Sequence, residues 1–99
     1  MSDAVILLET TSRQPESGAG GWFVYIAECS DATLYTGITT DLIRRIATHN
    51  AGSGARYTRS RRPITLVYSE PAQDRSAALR REYAIKKLPA SAKRALISE

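Results

Sequence analysis

Trp22-Phe-Val-Tyr25-Ile-Ala-Glu-Cys-Ser-Asp-Ala-Thr-Leu-Tyr35-Thr-Gly37 is the stretch on which the reading of this chain turns. Trp22 to Glu28 is rich in aromatic and β-branched residues and reads as a strand. Ser30-Asp-Ala-Thr33 carries turn chemistry, and Leu34 to Thr39 reads as a second strand, so the pair predicts an antiparallel hairpin. Tyr25 and Tyr35 lie ten positions apart on it. Strand side chains alternate, so residues of equal parity share a face only if the loop has an odd residue count or a bulge. The expectation is that both phenols share one face. Gly37 lies inside the second strand, where a glycine marks a bulge or a close backbone approach. Here it would let a phosphate or the neighbouring helix come near.

Working outward, Asp41 opens a helix to about Asn50, capped by Thr40 or Asp41 and ended by Gly52. Leu42, Ile46 and Ala47 form its apolar stripe, and Arg45 and His49 are i,i+4 neighbours on one face. Residues 51–62 read as a Gly- and Arg-rich loop without periodicity. Pro63 to Glu70 is the third strand, broken by Pro71. Asp74 caps a helix through Leu88 with Ala78, Leu79, Ile85 and Leu88 inward, and a short helix from Ala90 to Ile97 follows Pro89. The order β-β-α-β-α-α predicts an α+β domain: a small, mostly antiparallel three-stranded sheet flanked by helices. Residues 1–20 are polar, Gly/Ser-rich and contain Pro15, so they read as a flexible appendage to a domain spanning 21–99.

The chain has 99 residues, enough for one modest core. No apolar run approaches the ~20 residues of a membrane helix, and Val5 to Leu8 is too short for a signal-peptide core. A cytoplasmic protein is expected. Cys29, the one cysteine, has no internal partner, which fits a reducing compartment. The net charge is +4, and the excess lies beyond residue 21. Between Leu42 and Ser69 stand Arg44, Arg45, Arg56, Arg59, Arg61 and Arg62 with no acidic residue, the footprint of a phosphate-rich partner or else a solvated basic surface. Tyr57 interleaves with these arginines, a pattern suited to single strands or distorted duplex.

Phosphodiester cleavage needs an attacking water, a group to take its proton and positive charge at the phosphate. Arg45 keeps its charge and can grip two phosphate oxygens. His49 is the only histidine and lies one turn beyond Arg45. Glu82 is the only acid between Asp74 and Glu99, and an ordinary bridge to Lys86 competes with any role for it at a site.

These residues resemble the GIY-YIG nuclease superfamily, over Trp22 to about Leu88. Phe23-Val24-Tyr25 stands in place of the first triplet and Tyr35-Thr36-Gly37 in place of the second. The likeness is to the small stand-alone branch. It implies Tyr25 as general base, Tyr35 bonding the phosphate or nucleophile, and Arg45 stabilising the scissile phosphate. It implies His49 for phosphate contact or proton shuttling, and Glu82 as ligand of a single Mg2+ (or Mn2+). Gly37, Arg44, Arg56, Tyr57, Arg59, Arg61 and Arg62 would then contact nucleic acid. Ile38 stands where repair-type members often carry a lysine, one cation fewer. The expected function is a metal-dependent endonuclease acting on DNA with low sequence specificity, as a monomer. A non-catalytic nucleic-acid-binding module and, more remotely, a protein-interaction domain are the competing classes.

Overall fold

The computed structural model describes residues 21–98, so the expectation for residues 1–20 falls outside them. Strand β1 is Trp22–Glu28, β2 is Leu34–Thr39 and β3 is Thr65–Ala72. They form one antiparallel sheet in the order β2-β1-β3. Helix α1 is Leu42–Asn50, α2 is Arg56–Arg59, α3 is Arg75–Lys86 and α4 is Ala90–Ser98. The α+β architecture is the one expected from sequence, with one helix added and one strand extended.

The central strand explains its own composition. Five consecutive residues of β1, Phe23 to Ala27, are buried because helices cover both faces of the sheet. Phe23, Tyr25 and Ala27 look toward Leu42 of α1 and Ile64. Val24 and Ile26 look toward Ala78 and Ile85 of α3, with Leu96 and Ile97 of α4 packed alongside. Each fully buried Val, Ile, Leu or Phe among them contributes roughly 1.5–3 kcal/mol by leaving water. A register shift between Ile26 and Ala27 makes Val67 the extra residue of a bulge in β3. The bulge sends Leu66 to the Tyr25 face while Val67 and Tyr68 stay on the other.

Both helix starts follow from capping chemistry. The Asp41 carboxylate accepts from the Arg44 amide at 3.0 Å, and that of Asp74 from the Ala77 amide at 2.8 Å. Arg81 on α3 donates to Glu70 on β3 at 2.7 Å. Arg94 on α4 donates to the Ala32 carbonyl at 2.6 Å and to Glu28 at 3.2 Å, so α4 clamps the hairpin turn.

Four expectations are corrected. Residues 51–62 are not an unstructured loop: they carry α2, whose Thr58 is fully buried. Pro71 does not break β3; it pairs opposite Phe23, on an outer strand where a missing N–H is tolerated. Ala47 is exposed, and His49 takes the buried place on α1 instead. Leu79 is 39 % exposed on α3 rather than inward.

Candidate active site

The site grows from the Phe23-Tyr25-Ala27 face of the sheet. Tyr25 pairs opposite Gly37 and Ala27 opposite Tyr35, because the five-residue connection has odd length. The two phenols therefore lie on one face, with ring centroids 6.4 Å apart. Gly37 does not sit in a bulge, and it accommodates a ring rather than a helix. A Cβ there would lie 2.6 Å from the Tyr25 hydroxyl, so glycine is what lets the buried ring lean across β2.

Asp41 starts α1 beside β2, and the helix phase then brings Arg45 and His49 over the phenols. His49 Nε2 lies 2.9 Å from the Tyr25 Oη, and Arg45 Nε–H donates to the same oxygen at 3.4 Å. The Tyr35 ring meets the imidazole edge-on at 5.2 Å between centroids. Arg45 makes this contact instead of an ion pair with Asp41, whose carboxylate is taken by its cap. His49 is fully buried rather than facing open solvent.

Burial pushes the Tyr25 phenol above its ordinary value, and the Arg45 hydrogen bond pulls the other way. The Tyr35 phenol and the Glu82 charge add to the upward shift. Burial, then the Arg45 charge, holds the His49 imidazole below its ordinary 6.5. The resting pair is thus a protonated phenol beside a neutral imidazole.

Two residues that pattern reading did not single out complete this cluster. Thr58 Oγ1 lies 2.8 Å from His49 Nδ1. Gly54 packs so close that a Cβ there would lie 2.4 Å from the same nitrogen. The only clue in the sequence is a second glycine soon after the single histidine.

Glu82 is half-buried on α3, bonded to Lys86 at 3.2 Å, and near enough that its charge is felt at Tyr25. Among the described residues no group of three His, Cys, Asp or Glu side chains could jointly hold a metal. A Mg2+-like cation commonly takes one or two carboxylates and fills its other positions with water and phosphate oxygens, so a single half-buried carboxylate whose charge is felt at Tyr25 fits.

The arginines divide into two groups. Arg61 bonds Asp31 at 3.1 Å and the Tyr57 carbonyl at 2.8 Å, and its guanidinium lies 3.9 Å above the Tyr57 ring. Arg62 bonds the carbonyls of Arg59 and Asn50 at 2.9 and 3.2 Å. These two hold α2 and its flanks in place. Arg44, Arg56 and Arg59 are exposed and have no ion-pair partner among the described residues. Tyr57 stacks on Tyr35 at 6.2 Å, and both line a groove of ≈ 300 Å³ with Leu34, Thr36, Lys86 and Lys93. The two lysines extend the basic surface beyond the expected arginines.

Residues 21–95 match the GIY-YIG catalytic domain. The chain is 58% identical over 86 residues to a UPF0213 protein of Desulfotalea psychrophila, covering 86% of this chain and 78% of that one. It is 58% identical over 73 residues to a UPF0213 protein of Halobacterium salinarum, covering 74% and 95%. The solution structure of a UPF0213 protein from Bacillus halodurans superimposes with a TM-score of 0.51 at 45% identity, covering 78% of this chain and 82% of that one. No helix among the described residues is long and apolar enough to cross a membrane. A buried phenol under an arginine and a histidine, on a hairpin matched across its whole length, makes this chain a member of the GIY-YIG family, in its small UPF0213 branch.

Proposed function

We propose that the protein is an endonuclease that hydrolyses phosphodiester bonds in DNA with low sequence specificity. The observation that carries this reading is the Tyr25 hydroxyl held between Arg45 and His49. Its raised phenol argues for a relay rather than a standing phenolate. The Tyr25 oxygen takes a proton from the attacking water while its own proton passes to His49 Nε2. Tyr25 is neutral before and after, so burial does not oppose the step. Tyr35 bonds the phosphate or orients the water from the same face. Arg45, fixed by the phenol, neutralises charge that builds on the phosphate oxygens. Glu82 would hold one divalent cation, Mg2+ or Mn2+, which when bound supplies charge stabilisation at the phosphate and leaving oxygen. Arg44, Arg56 and Arg59, with Lys86 and Lys93 around the groove, would track the backbone by charge without reading bases.

Nicking of branched, single-stranded and duplex DNA with added Mg2+ tests this, with Glu82→Gln as control. The amide keeps the size of the side chain but loses the charge that a hard cation needs. Losing the Lys86 bridge alone costs only ~0.5 kcal/mol. Cleavage should vanish while the fold and DNA binding persist; cleavage at the wild-type rate by the variant would refute the role of Glu82. One observation favours the second reading, a nucleic-acid-binding module without catalysis: Tyr25 has no exposed surface. Salt-sensitive DNA binding without cleavage of any DNA or RNA would establish that module.

A further inference from the structure

The protons around His49 can be assigned from its neighbours. Thr58 is fully buried, and its Oγ1 lies 2.9 Å from the Ala55 carbonyl and 2.8 Å from His49 Nδ1. A carbonyl only accepts, and a hydroxyl has one proton to give. If the hydroxyl donates to Ala55, its oxygen is left to accept, and Nδ1 must carry the hydrogen. At the far side of the ring, Arg45 can only donate, so it gives Nε–H to the Tyr25 oxygen. The phenol then donates its single proton to a bare Nε2, 2.9 Å away.

The opposite tautomer fails at the phenol end. A hydrogen on Nε2 would give the Tyr25 oxygen two donors, Arg45 and His49, and leave the phenol proton with no protein acceptor. At the other end a bare Nδ1 would draw the Thr58 proton away from the Ala55 carbonyl, which would then keep only the Thr58 and Arg59 amides. Gly54 sits so close that any side chain there would collide with the ring at Nδ1. The titratable and charged groups around the imidazole are Tyr25 from β1, Tyr35 from β2 and Arg45 from α1, with Glu82 on α3 acting through Tyr25. α2 contributes the neutral Thr58.

We infer that Thr58 is a positioning residue that holds His49 as the Nδ1–H tautomer, so that Nε2 stays bare to take the Tyr25 proton. When the relay runs, the phenol O–H bond breaks, an Nε2–H bond forms, and the electron pair left on oxygen takes the proton of the attacking water. The imidazolium then still gives Nδ1–H to Thr58. The link to cleavage rests on the nuclease reading; the tautomer itself does not.

His49 is the single histidine, so tag-free 15N-labelled protein gives one set of imidazole signals. Two-bond 1H–15N correlation at neutral pH reads the tautomer directly. Nδ1 should be protonated and Nε2 bare in the wild type and in Thr58→Ser. Thr58→Val, which keeps shape but loses the acceptor, should shift the population toward Nε2–H. It should also lower cleavage by about 10–100-fold and move the acid limb of the pH profile to lower pH, with Thr58→Ser restoring both. An Nε2–H wild type would overturn the assignment even if Thr58→Val does not fold. A folded Thr58→Val that keeps the wild-type tautomer and pH profile would overturn it too. An Nδ1–H wild type whose tautomer shifts in Thr58→Val but which cleaves nothing supports the role of Thr58 and counts against the nuclease reading alone.

Discussion

The two faces of the sheet are built from alternate residues of one strand, yet they differ in kind. Val24 and Ile26 meet Ala78 and Ile85 with hydrocarbon alone. On the other face, Phe23 and Ala27 flank a phenol, an imidazole and a hydroxyl that are all buried and joined by hydrogen bonds. A buried polar cluster is acceptable when every member has a partner, and costly when one is removed. Hydrocarbon packing is therefore concentrated on the face under α3 and the buried polar cluster on the face under α1, with β1 shared between them.

Paired substitutions on β1 should separate the faces most sharply. Tyr25→Phe removes the relay oxygen and should reduce cleavage by about 10²–10⁴-fold, with a stability loss of about 1–3 kcal/mol from the stranded His49 nitrogen. Ile26→Ala should destabilise by about 2–5 kcal/mol while each folded molecule cleaves at the wild-type rate. Denaturant melts beside single-turnover rates test the contrast, and equal loss of activity in both variants would erase it.

Gly37→Ala comes next. Its Cβ would meet the Tyr25 hydroxyl at 2.6 Å, so the ring must move away from His49 and Arg45. We expect a stability loss of about 1–3 kcal/mol and at least a tenfold fall in cleavage. A variant with wild-type rates would show that the phenol position is not critical.

The buried imidazole also makes stability depend on pH. Its folded pKa lies below the ordinary 6.5, so in acid the unfolded chain binds a proton that the native state resists. Stability should hold above that value and decline as pH falls below it, toward the lower folded pKa. His49→Gln should remove this part of the slope. Denaturation midpoints measured from about pH 7.5 to about pH 5 would reveal it, and identical profiles for the two proteins would contradict it.

The smallest effect distinguishes the two sets of arginines. Replacing Arg56 and Arg59 with alanine should lessen the salt dependence of DNA binding by about one unit of slope per lost phosphate contact. Arg61→Ala should instead cost about 1 kcal/mol or less of stability, through its exposed bond to Asp31. Equal salt slopes in both variants would mean that the division is not functional.

The parts of the fold that were legible rest on local chemistry. The hairpin, its odd loop and the caps at Asp41 and Asp74 depend on residues a few positions apart, and pattern reading finds them. Tyr25, Tyr35, Arg45 and His49 come together as expected, while Glu82 bridges to Lys86 and reaches Tyr25 only through its charge. Helix α2 escaped because four residues show no periodicity. Pro71 misled because a strand-breaking rule applies weakly on an outer strand. Thr58 leaves no pattern in the sequence and Gly54 only its closeness to the single histidine, because their roles come from packing against His49.

The position of α1 and α2 in the chain bears on how the molecule assembles. Both lie between β2 and β3, inside the segment that must close before β3 can pair with β1. A hairpin forms in about 1–10 μs, whereas a pairing across a long segment must first meet its closure entropy. The Ser30 amide bonds the Arg61 carbonyl, so the far end of that segment returns to the hairpin turn only when it folds back. A chain with the hairpin formed but α1 and α2 not yet packed on it would hold both tyrosines with no imidazole beside them. Pulsed hydrogen exchange during refolding should catch that state as protected β1 and β2 amides while Thr58 still exchanges freely.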